Sequence, residues 1–350
     1  MNVLFEIAGR KIGPGYPVYI IAEMSANHHQ DFDEAVNIIK AAKACGADAI
    51  KIQTYTADTL TLDCHNEYFQ VGKDSLWSKR YLYELYQEAY TPWEWQPRLK
   101  EVAEEQGLAF FSSPFDETAV EFLQGMDVPA YKVASFEIVD LPLIQRIAQA
   151  GKPIIMSTGM ATLAEIDEAV QTARDAGVTQ IALLKCTSAY PAPPEEMNLR
   201  TISHLGQAFN VVSGLSDHTL GYAVPVAAVA LGAQIIEKHF TLSRQTAGPD
   251  SAFSLEPHEF KAMVEAVRIA EQACGAVSYR LTEKELASQV FRRSLFVVKD
   301  IRQGEAFTAN NVRSIRPGQG LHTRYLPQVL GRVAALDLVA GTPLSWDLVQ

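Results

Sequence analysis

The sequence predicts a (β/α)8 barrel followed by a small β-rich domain, and three observations favour this α/β fold class. Eight short apolar segments alternate with helical patterns over roughly the first 240 residues. Near-continuous apolar strands are typical of a parallel sheet covered on both faces. Eight β/α units in about 280 residues fit a closed barrel better than an open sheet. The alternative is a doubly wound sheet, but no glycine-rich GxGxxG motif follows the first strand.

Each predicted strand is a run of β-branched and other apolar residues that ends at turn or helix signals. The eight runs are Tyr19–Met24, Ala49–Thr54, Ala109–Pro114, Ala130–Ser135, Pro153–Thr158, Ile181–Thr187, Val211–Ser216 and Gln234–Phe240.

Several intervening segments have helix boundaries, since each begins at a capping residue or proline and ends at a glycine. They are Asp31–Gly46, Asp140–Gly151, Thr162–Gly177 and Pro257–Gly275. A longer aromatic segment, Ala57–Pro97, follows the second strand. We expect this segment to form a helical cap on the active-site side of the barrel.

The C-terminal part contains an internal repeat. Asp300–Gly304 matches Asp337–Gly341 at an offset of 37 residues (337 − 300 = 37). Each copy has the pattern of strand, glycine turn, strand and short helix, which predicts a compact module with pseudo-twofold symmetry. The predicted organisation is a barrel over residues 1–281, a polar linker over 282–293 and the β-rich domain over 294–350.

Composition excludes several classes of protein. The formal net charge of -11 argues against wholesale nucleic-acid binding, and 48% hydrophobic residues with 20% charged residues is ordinary globular composition. No apolar run approaches the roughly 20 residues of a membrane-spanning helix, and the N-terminal stretch lacks a signal-peptide layout, so we expect a cytoplasmic protein. The 4 cysteines form no CxxC motif and are predicted to be buried free thiols.

Polar residues at the C-terminal ends of the predicted strands indicate the active site, because barrel sites lie at that face. Lys51 and Lys132 lie inside otherwise apolar runs. Two such lysines together with nearby serines predict a pocket for a phosphate or carboxylate. The serines are Ser135, Ser157 and Ser216. The alternative is that each lysine extends to solvent at a strand end.

His218 and His239 end neighbouring strands and predict a site for one divalent metal ion. Zinc usually has three protein ligands, and only two histidines are obvious here. His28 and His29 remain possible contributors, whereas His258 follows a proline at a helix start and is expected at the surface.

Carboxylates also occupy these strand ends. Glu23 and Glu237 suit general acid–base catalysis or recognition of substrate hydroxyls, although salt bridges to the lysines are an equal alternative. Asp250 is presented by a Gly-Pro-Asp turn, or merely fixes that turn through its own backbone. Gln53 and Tyr190 follow the second and sixth strands. We interpret the aromatic run from Tyr81 to Trp95 as packing of the cap, and the alternative is a platform for a sugar.

Nine ordered motifs resemble the nonulosonic (sialic) acid synthase family. They are IIAEMSANH, KIQTYT, FFSSPFDETAV, YKVASFEI, STGMAT, LKCTSAYPAP, GLSDHT, EKHF and GPDSAFSLEP. The C-terminal SIRPGQGL resembles the family's antifreeze-like SAF domain. Ser251 stands where the neuraminic acid branch typically has His, Ser188 where it has Asn, and Lys185 where it has His. The motifs are most similar to the pseudaminic acid branch.

The resemblance implies a TIM-barrel transferase that condenses phosphoenolpyruvate with 2,4-diacetamido-2,4,6-trideoxy-L-altrose and releases phosphate by C–O cleavage. It implies Mn²⁺ or Mg²⁺ (Co²⁺ is possible) on His218 and His239, with Glu23 near the reacting carbons. The implied phosphoenolpyruvate ligands are Lys51, Lys132, Ser135, Ser157 and Ser216, and the implied sugar ligands are Gln53, Tyr190, Glu237, Asp250 and Arg316. Arg316 is implied to come from the partner in a domain-swapped homodimer.

Two other functions stay open from the sequence. An N-acetylneuraminic or legionaminic acid synthase would use the same chemistry on another sugar. A carbohydrate- or ice-binding protein would act through the C-terminal module, but the lysines and histidines singled out above all lie in the barrel.

Overall fold

A computed structural model describes residues 5–72 and 76–350, so residues 73–75 of the predicted cap lie outside the described residues. The chain forms two compact units, Met1–Gly275 and Ala276–Gln350. The segment expected as a linker contains a short helix over Glu283–Ser288, which begins at a capping box between Thr282 and Glu285.

The first unit contains the predicted parallel barrel, which confirms the fold class. Eight strands pair in chain order, and the last pairs with the first to close the barrel. A short antiparallel hairpin precedes them. In chain order the strands are β1 (Phe5–Ile7), β2 (Arg10–Ile12), β3 (Tyr19–Glu23), β4 (Ala49–Thr54), β5 (Ala109–Pro114), β6 (Tyr131–Val133), β7 (Ile154–Ser157), β8 (Ile181–Cys186), β9 (Val212–Asp217) and β10 (Ile235–His239).

Helices follow the barrel strands, and two short ones, α2 and α3, form part of the cap after β4. They are α1 (Phe32–Ala44), α2 (Ala57–Leu60), α3 (Leu82–Ala89), α4 (Gln96–Glu105), α5 (Glu117–Gly125), α6 (Leu141–Ala148), α7 (Leu163–Asp175), α8 (Thr201–Phe209), α9 (Ala223–Ala230) and α10 (Pro257–Cys274). The predicted caps form: Asp31 accepts from the backbone N–H of Glu34, and Thr162 and Glu165 make the capping box. Among the described residues, no helix is long and apolar enough to cross a membrane.

The hairpin β1–β2 was not predicted from the sequence. Its residues Phe5, Ile7 and Ile12 are fully buried and belong to the same apolar cluster as the inward-facing residues at the N-terminal ends of the barrel strands. Three-residue strands are too short to show a reliable alternation of apolar and polar residues.

The alternation of side chains along each strand separates two environments. On β3, Tyr19 and Ile21 face the barrel interior, whereas Ile20 and Ala22 pack in the cluster under the helices. The interior is apolar at the N-terminal ends of the strands. At the C-terminal ends the same inward face holds polar residues such as Glu23, and this change positions the site.

The second unit contains α11 (Glu283–Ser288), β11 (Ser294–Val297), β12 (Val312–Ile315) and α12 (Leu326–Val329), with β11 antiparallel to β12. Equivalent residues of the two repeats bond reciprocally across it. Ile301 and Leu338 exchange two backbone hydrogen bonds of 2.8 Å. Gly304 donates to Ala334, and its repeat partner Gly341 donates to Val297. These bonds confirm the predicted pseudo-twofold symmetry.

Candidate active site

A cavity of about 570 Å³ opens at the C-terminal end of the barrel. It brings together every barrel residue that the sequence analysis assigned to the site. They are Glu23, Lys51, Gln53, Lys132, Ser135, Ser157, Tyr190, Ser216, His218, Glu237, His239 and Asp250. Arg316 lies in the second unit and is exposed.

Both predicted lysines point into the barrel and form the floor of the cavity. The Nζ of Lys51 lies 2.7 Å from Oε2 of Glu23 and 3.8 Å from Oε1 of Glu237. The Nζ of Lys132 lies 3.9 Å from the same Oε1 of Glu237. Each lysine is almost fully buried, so the alternative of extension into solvent is wrong.

The two lysines differ in their electrostatic balance. Burial lowers the pKa of Lys51, but the carboxylates of Glu23 and Glu237 outweigh burial and raise it above its ordinary value. Burial lowers the pKa of Lys132, and Glu237 does not compensate for it. An anion bound beside Lys132 would restore the balance, because a nearby negative charge favours the ammonium form.

The predicted serines surround this floor. Ser157 accepts a hydrogen bond of 2.6 Å from Lys132, and Ser216 donates one of 3.1 Å to Glu237. Ser135 accepts from the backbone N–H of Gly159 at 3.3 Å. A Cβ at Gly159 would lie too close to the hydroxyls of Ser135 and Ser188, so any larger residue there would displace these serines. Ser157 thus contacts Lys132 directly, and Ser135 and Ser216 add further hydroxyls to the cavity lining, a set suited to phosphate oxygens.

Glu23 occupies a separate position at the edge of the floor. Gln53 fixes it by donating to its Oε1 at 3.1 Å, and Gln53 also donates to Ser25 at 2.9 Å. Burial raises the pKa of Glu23 to about 7, with Lys51 opposing the shift. A carboxyl group with this pKa can hold or release a proton near neutral pH.

The two predicted metal ligands lie side by side, with 5.3 Å between the ring centroids of His218 and His239. Nδ1 of His218 lies 3.0 Å from the carbonyl oxygen of Thr187. A carbonyl partner makes Nδ1 the donor and leaves Nε2 free to bind a metal. Burial lowers the pKa of His239 well below its ordinary value, which keeps it in the neutral form that binds metals. Burial also lowers the pKa of His218, but the adjacent Cys186 outweighs burial and raises it, so this ring would lose a proton on binding a metal. Nδ1 of His239 is buried without a hydrogen-bond partner among the described residues. The pair therefore fits one divalent ion.

The other histidines lie elsewhere. His28 is buried against Thr91 at 3.2 Å, and His29 pairs with Glu34 at 3.0 Å, so neither lines the cavity. His258 is exposed, as expected, and groups with Glu256 and Glu259 at the surface. Exposed acidic groups of this kind are common without a metal.

The cap supplies one wall of the cavity. Trp77 donates its indole N–H to the carbonyl oxygen of Pro249 at 2.8 Å and packs on Tyr190, with 5.5 Å between ring centroids. Tyr86 of α3 packs on Tyr55 at 5.8 Å. The cap therefore contributes residues that face the cavity in addition to its own packing.

Sequence reasoning missed Cys186 and Trp77 as lining residues, and it favoured cap packing for Tyr86, which also lines the cavity. Cys186 lies 3.8 Å from Nδ1 of His218. It follows the inward-facing Leu184 by two positions on β8, so the alternation could have identified it. All four cysteines are free, but Cys274 is exposed, so the expectation that all are buried is wrong.

A closed barrel with buried lysines, carboxylates and paired histidines at the C-terminal ends of its strands has the layout of a barrel enzyme with its active site at that face. The chain belongs to the NeuB family, which residues 38–279 match, and residues 292–350 match the SAF domain.

Named relatives agree with this assignment. The chain is 50% identical to the pseudaminic acid synthase of Campylobacter jejuni strain 81-176, over 94% of this chain and 95% of that protein. It is 47% identical to the pseudaminic acid synthase of Helicobacter pylori, over 95% of this chain and 98% of that protein. A solved structure of N-acetylneuraminic acid (sialic acid) synthetase from Leptospira borgpetersenii is 31% identical, with a TM-score of 0.73 over 82% of this chain and 95% of that one.

Proposed function

We propose that the protein condenses phosphoenolpyruvate with 2,4-diacetamido-2,4,6-trideoxy-L-altrose to form pseudaminic acid and phosphate. The observation that supports this most directly is the cavity floor, where Lys51 and Lys132 lie beside Glu237 and the paired histidines. The choice of sugar rests on the 50% identity to a pseudaminic acid synthase, against 34–36% for N,N'-diacetyllegionaminic acid and N-acetylneuraminate-9-phosphate synthases. We place the reaction in the cytoplasm, where phosphoenolpyruvate is produced.

The floor residues would hold the phosphate before and during the reaction. Lys51 and Lys132 bind its oxygens together with the hydroxyls of Ser135, Ser157 and Ser216. The enol carbon of phosphoenolpyruvate forms a bond to the aldehyde carbon of the sugar, and water then adds to the carbon that bears the phosphate. The C–O bond to phosphate breaks, and the fixed lysines stabilise the departing charge without reorganising.

Glu23 and the two histidines have the remaining roles in the reaction, proton transfer and metal binding. Glu23, held by Gln53, takes the proton of the water that adds to the enol-derived carbon. A divalent ion on His218 and His239, either Mn²⁺ or Mg²⁺ (Co²⁺ is a further candidate), would supply Lewis-acid polarisation of the aldehyde oxygen when bound. Tyr190, Glu237 and Asp250 line the cavity and orient the sugar hydroxyl and acylamino groups.

The proposed activity is tested with purified protein, Mn²⁺, phosphoenolpyruvate and three sugars. They are 2,4-diacetamido-2,4,6-trideoxy-L-altrose, the D-manno isomer that yields legionaminic acid, and N-acetylmannosamine. We expect phosphate release with the first and a product mass equal to pseudaminic acid. In H₂¹⁸O the released phosphate should stay unlabelled, because C–O cleavage leaves the bridging oxygen on phosphate. Turnover with only one of the other sugars would reassign the substrate, and no turnover would refute the activity.

We also propose that Arg316 of a partner subunit completes the sugar site in a domain-swapped homodimer. Hydrogen bonds hold its loop in place. The backbone N–H of Gly318 donates to the carbonyl oxygen of Val290 at 2.9 Å. The hydroxyl of Ser294 donates to the carbonyl oxygen of Pro317 and accepts from the backbone N–H of Gly320. A Cβ at Gly320 would collide with the carbonyl oxygen of Leu295, so a close backbone approach explains this glycine. A loop fixed in this way can present one guanidinium with its five donors to an acyl carbonyl.

Replacing Arg316 by alanine should raise the KM for the sugar more than the KM for phosphoenolpyruvate. Mixing inactive His218→Ala subunits with severely impaired Arg316→Ala subunits should restore partial activity, because one site of each heterodimer would be intact. Steady-state kinetics on verified heterodimers make the measurement. The matched control is Arg313→Ala, since Arg313 is also exposed and lies three residues away. No recovery of activity would exclude a site shared between subunits.

A further inference from the structure

The cavity has two chemically different sides. Its floor is polar, as described above, whereas the cap residues that line it are apolar or aromatic. They are Leu60, Val71, Trp77, Leu82, Leu85, Tyr86 and Ala89, and they are called the apolar roof from here on. Among the described cap residues, none that lines the cavity carries a charge.

Helix α3 supplies most of the apolar roof. Leu82, Leu85, Tyr86 and Ala89 are spaced i, i+3, i+4 and i+7, so they share one face of the helix. The other face is polar: Glu84 is exposed there. Leu85 is buried, but Leu82 remains half-buried and faces the cavity. An apolar surface that faces an open cavity is typical of a site that receives apolar ligand groups.

The two sides orient the proposed sugar. The aldehyde at C1 must lie near the paired histidines and the lysines of the floor, because that is where it reacts. C6 is the opposite end of the carbon chain and would lie against the cap in this orientation. A hydroxyl placed against leucine and valine would lose its hydrogen bonds to water without replacement, whereas a methyl group would be favoured there.

We propose that the apolar roof, through Leu82, binds the C6 methyl of a 6-deoxy sugar and disfavours sugars with a C6 hydroxyl. This inference rests on the proposed function and deepens it, since it assigns the selection of 6-deoxy substrates to a specific face of the cap. Leu82 is a specificity-determining residue in this assignment, remote from the bonds that form and break.

The test measures kcat/KM for two sugars, the 6-deoxy substrate and its 6-hydroxy analogue, 2,4-diacetamido-2,4-dideoxy-L-altrose. We expect the unaltered enzyme to prefer the 6-deoxy sugar by roughly 10- to 100-fold, the range that an apolar pocket reaches against an added hydroxyl. Leu82→Asn should reduce this preference about 10-fold, with the KM for phosphoenolpyruvate unchanged. Leu82→Met keeps an apolar side chain of similar volume and should keep the preference.

The matched control is Leu62→Asn, because Leu62 belongs to the same cap but is 61% exposed and does not line the cavity. It should leave the preference unchanged. Two outcomes would overturn the inference but not the proposed function. One is an equal loss of kcat/KM with both sugars in Leu82→Asn, and the other is an unaltered enzyme with the same kcat/KM for both sugars. An unaltered enzyme that converts neither sugar would overturn the proposed function and the inference with it.

Discussion

Replacing either His218 or His239 by alanine should abolish turnover and lower the affinity for Mn²⁺. The two rings lie 5.3 Å apart between centroids, and His218 has its Nδ1 directed at the carbonyl oxygen of Thr187, which leaves Nε2 for the metal. The two histidines would each give the ion one nitrogen, so losing one removes half of that pair. Phosphate release measures turnover, and electron paramagnetic resonance of free Mn²⁺ measures binding without depending on activity.

The control for this prediction is His258→Ala. His258, Glu256 and Glu259 form a surface group whose potential ligand atoms lie within 4.8 Å of one another. If the metal bound there, His258→Ala would lower Mn²⁺ affinity and the changes at His218 and His239 would not. Full activity of EDTA-treated enzyme without added metal would also contradict the assignment.

The sequence was sufficient to locate the floor of the site. A lysine inside a buried parallel strand has no apolar role, so Lys51 and Lys132 stood out, and the cavity contains both. The boundaries of the barrel strands follow from the same apolar runs. For example, β4 and β5 have the predicted limits. The strand β6 is shorter than the predicted run Ala130–Ser135, because its pairing with β7 ends at Val133.

The roof could not be predicted in the same way. The spacing of Leu82, Leu85, Tyr86 and Ala89 indicates an amphipathic helix, but a helical pattern does not show which surface its apolar face meets. Here that face lines a cavity rather than a closed core. This depends on how the cap folds over the barrel, and such contacts between distant segments are not encoded in a local pattern.

Lys238 shows that a lysine in a predicted strand is not enough to identify a residue of the site. In the sequence it resembles Lys51, since it is a lysine in an apolar run, but the alternation on β10 points Glu237 and His239 inward and Lys238 outward. Lys238 instead pairs with Asp217 at 2.5 Å, and both side chains are fully buried. Asp217 is its direct neighbour in the register of β9 and β10. The pair therefore joins β10, which ends at His239, to β9, which His218 follows directly.

Replacing Lys238 by methionine should destabilise the barrel by about 3–5 kcal/mol, because it leaves the Asp217 carboxylate buried without its cation. Urea unfolding followed by tryptophan emission measures this change, since Trp77, Trp93 and Trp95 all lie in the barrel unit. The double variant Asp217→Asn with Lys238→Met should recover part of the loss, because it removes the unpaired charge.

The matched control is Lys152→Met, which breaks a Lys–Asp pair of 2.7 Å whose side chains are 38% and 83% exposed. It should change stability little, because water replaces the lost partner of Asp127. If the Lys238→Met variant had the same free energy of unfolding as the Lys152→Met variant, the buried pair would not be what stabilises the contact between β9 and β10.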